Sequence, residues 1–64
     1  MKVKYEGTVG SYSFQMADND NQTIEIWGFD ETRPEAFIYL KEGSVKSQKD
    51  FDTEISYWYM QNVG

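Results

Sequence analysis

Two short runs set the terms for what this chain can fold into. Thr23 to Phe29 and Ala36 to Lys41 alternate at the two-residue period of a β-strand, yet each carries large apolar side chains on both parities. In the first run Ile24 and Ile26 fall on one side, with Glu25, Trp27 and Phe29 on the other. In the second, Ala36, Ile38 and Leu40 oppose Phe37 and Tyr39. However each strand is turned, apolar groups point from both sides of the sheet, and such a sheet needs cover on both faces. Material for that cover is scarce. The chain has 64 residues, enough for a single domain (residues 1–64) near the lower limit for independent folding. The second layer is therefore the N-terminal segment folded over Trp27 and Phe29, a second copy of the chain, or a foreign partner.

Cysteine and histidine are both absent. That removes disulfides, zinc fingers, iron–sulfur clusters, thiol nucleophiles and every mechanism that uses an imidazole. Stability must come from apolar burial or from a partner. The high aromatic content, 17% of residues, is how so short a chain fills a core.

Residues 2–17 contain a phase slip. Val3, Tyr5 and Val9 fall on odd positions, whereas Tyr12, Phe14 and Met16 fall on even ones. One residue must be absorbed between the two runs, and Gly7 and Gly10 lie at or just before that point. A long bulged strand and a short hairpin both satisfy the pattern. Asp18-Asn19-Asp20-Asn21-Gln22 then reads as a hairpin loop, and Asp30 to Glu35, with the single proline Pro34, as a second break.

The last third changes character. Ser47 followed by Asp50 is a loose capping box, and Asp50, Asp52 and Glu54 would occupy the first two turns, where the helix dipole favours negative charge. At helical spacing Phe51, Ile55, Trp58 and Tyr59 form one stripe, with polar Asn62 inside it. Ile55 to Tyr59 also has strand propensity, but a strand would leave Trp58 and Met60 on the face opposite Ile55, Tyr57 and Tyr59. The cap, the acidic start and the terminal Gly64 predict a helix over 47–62. The expected fold is α+β: a small antiparallel sheet of three or four strands followed by one C-terminal helix.

No catalytic chemistry is written here. Asp18 to Gln22 resembles the opening of an EF-hand loop, but the sixth position is Thr23 instead of glycine and the twelfth is Phe29 instead of glutamate. The acids sit in turn-like or cap-like contexts, and a domain this small has little room for a cleft of ~300 Å³ in which a carboxyl could act as acid or base. No serine has a histidine to activate it, and the Gly7 to Gly10 spacing has no following lysine or helix to make a phosphate loop. The expectation is a protein that is not an enzyme and needs no cofactor or metal.

Charge is more informative. The net charge is −5, and residues 18–35 carry all of it: Asp18, Asp20, Glu25, Asp30, Glu31 and Glu35 stand against Arg33 alone. Elsewhere five acids and five bases cancel. This excludes direct nucleic-acid contact through a basic face and suits steering toward a basic protein partner. It also suits a plain role in solubility. Mimicry of a phosphate row fits poorly, because a strand of ~20 Å separates the two acidic loops and carries only Glu25 between them.

No membrane span is expected, since the longest apolar run is Ala36 to Leu40. Met1 to Glu6 lacks the apolar stretch of a secretory signal, so the expectation is a soluble cytoplasmic protein. The candidate partner-binding residues are Asp18, Asp20, Glu25, Trp27, Phe29, Asp30, Glu31, Glu35, Phe37 and Tyr39. Tyr57 and Met60, on the back of the helix, join Trp27 as further contact candidates. In size and acidity the chain resembles the small inhibitor proteins that phages make against host enzymes, an analogy of class carried by no motif. The expected function is a small acidic binding protein that occupies a surface of a larger protein, with phage-type inhibition of a nucleic-acid-processing host factor as its most specific form. The alternative is a self-associating, homodimeric module.

Overall fold

Residues 2–17, 23–28, 32–41 and 43–64 are described by a computed structural model. Four strands precede one helix: β1 (Val3–Val9), β2 (Tyr12–Ala17), β3 (Thr23–Trp27), β4 (Ala36–Tyr39) and α1 (Gln48–Asn62). The strands form one antiparallel sheet in the order β1-β2-β3-β4, a meander with α1 across one face. This is the expected α+β arrangement, with four strands.

The phase slip is a hairpin. Val9 pairs with Tyr12 and Gly7 with Phe14, so the odd residues of β1 share a face with the even residues of β2. Gly10 and Ser11 are the two-residue loop between them. Gly10 has φ +61° and, among the described residues, no non-glycine residue has positive φ, the pattern of a type II′ turn with glycine first. A register shift between Val3 and Tyr5 adds an irregularity at Lys4.

β3 and β4 are shorter than the alternation suggests. β3 stops at Trp27, and Phe29 lies outside the described residues. β4 stops at Tyr39, two residues before Lys41. The Lys41 carbonyl accepts hydrogen bonds from both the backbone N–H and the hydroxyl of Ser44, at 3.0 and 2.6 Å, which commits it to a turn.

The helix starts where Ser47 caps it. The Ser47 Oγ accepts from the Asp50 N–H at 3.3 Å, and the Asp50 carboxylate accepts in return from the Lys46 N–H at 3.1 Å. The reciprocal bond reaches one residue further back than in a Glu-containing capping box. At the other end the N–H groups of Val63 and Gly64 both donate to the Tyr59 carbonyl. Phe51 and Ile55 are buried and Trp58 and Tyr59 half-buried, the expected stripe, while Asn62 is exposed and donates its side-chain amide to the Trp58 carbonyl.

The core lies between α1 and one face of the sheet. It consists of Phe14, Met16, Ile24, Ile26, Val45, Phe51 and Ile55. Helix α1 sits over the β1–β2 half: Tyr5 packs on Phe51, Phe14 on Trp58, and Tyr12 edge-on against both Trp58 and Tyr59, with ring centroids 5.8 to 6.3 Å apart. On the β4 side Ala36, Ile38 and Leu40 pack against the same core but stay half-buried. The first segment is a strand of the sheet, so it is not a layer folded over the second face. The shortest extent of the molecule, 16 Å, matches a sheet and one helix layer with no third.

Candidate protein-binding face

Strand alternation places the side chains that do not join the core on the opposite, open face of the sheet. Register then fixes who stands beside whom. Glu25 is flanked by Gln15 on β2 and Phe37 on β4, Trp27 lies opposite Ser13, and Thr23 lies opposite Tyr39. Directly paired residues have Cβ atoms roughly 4.5–5.5 Å apart, so Glu25 and Phe37 are close neighbours.

The β3–β4 half of this face is aromatic. Phe37 is 44% exposed and Tyr39 79% exposed, and their rings lie 6.2 Å apart at a tilt of 39°. A single exposed aromatic needs no explanation, but two in contact beside a third make a patch. Trp27 is the third, half-buried on the same face. The β1–β2 half is polar. Glu6, Gly7, Thr8, Ser13, Phe14 and Gln15 line a shallow depression of about 440 Å³ there. This is roomier than the size of the chain led one to expect, but its titratable lining is one carboxyl, Glu6.

Two atoms at the centre of the face lack what their chemistry demands. Glu25 Oε2 and Trp27 Nε1 are shut off from solvent, and neither has a hydrogen-bond partner. An unpaired buried polar atom costs about 1–3 kcal/mol, and more when charged. Here an acceptor and a donor stand two residues apart on one strand, about 7 Å along its length.

The structure thus brings Glu25, Trp27, Phe37 and Tyr39 together. Glu35 stands at the foot of β4: its N–H donates to the Ile26 carbonyl at 2.7 Å, and its carboxylate lies over Gly28, where a Cβ would otherwise sit. Asp18, Asp20, Phe29, Asp30 and Glu31 lie outside the described residues. Tyr57 and Met60 are exposed on α1. They cannot share a surface with Trp27, because α1 covers one face of the sheet and Trp27 points from the other. Gln15, Ser13 and Thr23 also belong to the face, although the sequence reading did not name them. Strand parity alone would have put them there, but only pairing says which stand beside Glu25 and Trp27.

Among the described residues no cluster of three or more carboxylates could hold a metal ion, and no helix is long and apolar enough to cross a membrane. No protein-family model matches this chain, and neither does any curated protein or any solved structure.

Proposed function

We propose that this is a non-enzymatic binding protein whose open sheet face occupies a surface on a larger, basic protein. The observation that carries this reading is the exposed Phe37–Tyr39 pair beside Trp27, on a sheet whose other face already has its helix. Tyrosine and tryptophan supply much contact area for little lost rotamer freedom, and interfaces are enriched in both. The net charge of −5, concentrated in residues 18–35, supports a cationic partner. Self-association fits less well, since it would set two such segments against each other. Phage-type inhibition of a nucleic-acid-processing host factor is the most specific form of this reading, supported by size and acidity alone.

The test pairs two measurements. The isolated chain should sediment as a monomer at micromolar concentration. Immobilised, it should retain a basic protein from lysate that the Phe37→Thr/Tyr39→Thr variant, folded by the same spectra, does not retain. A homodimer abolished by those substitutions, or a partner indifferent to them, overturns the reading.

A further inference from the structure

We infer that the centre of the open face is a site for a guanidinium group, an arginine side chain of the partner, seated between the Glu25 carboxylate and the rings of Trp27, Phe37 and Tyr39. The inference rests on the proposed function and names the chemistry of its partner. Charge complementarity decides the occupant. The open-face positions within β2, β3 and β4 hold Ser13, Gln15, Thr23, Glu25, Trp27, Phe37 and Tyr39, one carboxylate and no base. Lys4 and Glu6 belong to β1, two strands away from Glu25, where the Lys4 ammonium lies 5.6 Å from the Tyr5 ring centroid. Glu25 Oε2 therefore lacks a partner on a face where Phe37 stands opposite Glu25, Trp27 two residues along the same strand and Tyr39 two residues beyond Phe37.

A flat sheet face suits guanidinium better than ammonium. The guanidinium is planar and weakly hydrated, stacks on aromatic rings, and donates two parallel hydrogen bonds to a carboxylate. Ammonium is a strongly hydrated point charge that would surrender more water to enter. Glu25 as a residue is only half-buried, and the terminal carboxylate torsion is broad and soft. A small rotation therefore presents the enclosed oxygen to an arriving cation. Trp27 Nε1 needs an acceptor, which a guanidinium does not offer. The backbone carbonyl beside the arginine supplies it, so the site reads an arginine together with the peptide that carries it. A second copy of the chain is the weaker occupant, because its single arginine, Arg33, lies within the segment 18–35 that carries the whole net charge of −5.

The test titrates the ¹⁵N-labelled full chain with a capped glycine peptide bearing one arginine, at millimolar concentration. Identical peptides bearing lysine or citrulline are the controls. The arginine peptide should shift the Trp27 indole N–H and the amides of Glu25, Phe37 and Tyr39 saturably, leaving the Trp58 indole in place. The citrulline peptide, nearly isosteric but uncharged, should shift none of them, and the lysine peptide should bind more weakly. Glu25→Gln should weaken arginine binding by about 10-fold or more, the loss expected for a charge-assisted hydrogen bond. If that variant does not fold, Tyr39→Thr should still reduce affinity about 2- to 5-fold through the lost cation–π contact. Equal response to citrulline, lysine binding as tightly as arginine, or an arginine affinity unmoved in the folded variant overturns the assignment. So do concentration-dependent shifts of the same residues without peptide, which mark a second copy. A partner retained through Phe37 and Tyr39 but indifferent to Glu25→Gln overturns this site and leaves the face-binding reading standing.

Discussion

Ile55 Cδ1 stands 2.9 Å from the point that a Cβ on Gly7 would occupy, with Phe51 Cε2 next at 3.5 Å. Glycine at that position lets α1 lie close against β1. Gln48 marks the same approach from the helix side, donating to the Glu6 backbone carbonyl at 3.1 Å and to Asp52 at 2.8 Å. β1 is an edge strand, and the helix thus engages part of its free edge while leaving the opposite sheet face open.

Gly7→Val should therefore destabilise the fold by about 1–3 kcal/mol, the range for overpacking a filled site. Ile55→Val removes the colliding methyl group. The double variant should lose less than the sum of the two single losses, as contacting residues do. Urea denaturation of all four proteins measures the coupling. Strict additivity would mean that the helix does not rest on Gly7.

Ile55→Ala should cost about 2–5 kcal/mol, because Ile55 is buried and the space left behind has Gly7 as a neighbour that cannot fill it. In a domain of this size that is a large share of the total stability. Loss of near-ultraviolet circular dichroism at 25 °C is the readout for the least stable outcome, and a lowered denaturation midpoint for the milder one.

Ser47→Ala should cost about 1 kcal/mol, since it leaves the Asp50 N–H without its acceptor, whereas Ser47→Gly should cost only a few tenths. Thermal unfolding followed at 222 nm separates the two. Equal effects would show that the cap oxygen contributes nothing.

Tyr39→Thr should change stability by no more than about 0.5 kcal/mol, because its side chain is largely in solvent, and Phe37→Thr, at 44% exposure, by no more than about 1 kcal/mol, since threonine keeps the strand propensity in both. Ile24→Ala, one face away on β3, should cost several times as much. Denaturant curves for the three variants test whether the aromatic pair is idle in folding and therefore free for binding.

Association with a basic partner should slow as salt rises from ~50 to ~300 mM, which shortens the screening length from about 14 Å to about 6 Å. The dissociation rate should change little. Neutralising Asp30, Glu31 and Glu35 to Asn or Gln should reproduce the slower association, while Trp27→Ala should speed dissociation and keep the salt dependence. Surface-immobilised kinetics resolve both rates. A salt-insensitive association rate would reduce the acidic segment to a solubility device.

Much of this architecture was legible before any coordinates. Alternation in Thr23 to Phe29 and Ala36 to Lys41 assigns two strands and their faces, though not their ends at Trp27 and Tyr39, and Ser47, Asp50 and the Phe51–Ile55–Trp58 spacing assign the helix. These are local signals, because side-chain direction in a strand and on a helix repeats with a fixed period. For the same reason Trp27, Phe37 and Tyr39 could be placed on the face away from Ile24 and Ile26. Which neighbours they have could not be so read. The slip between Val9 and Tyr12 fits a bulge as well as a turn, and only the Val9–Tyr12 pairing sets the register that carries Glu6 to Gln15, as the β2–β3 pairing carries Gln15 to Glu25. Nor does any local pattern say which half of the sheet a lone helix covers. That depends on the close approach of Ile55 to Gly7, a contact between residues 48 positions apart in the chain. It is this packing that buries Phe51 over β1 and leaves Ala36, Ile38 and Leu40 only half-buried, whereas Phe37 and Tyr39 are exposed because they point from the face the helix does not cover. The unpartnered Glu25 and Trp27 atoms are likewise visible only in space, because a hydrogen bond is made or missed by position and not by composition.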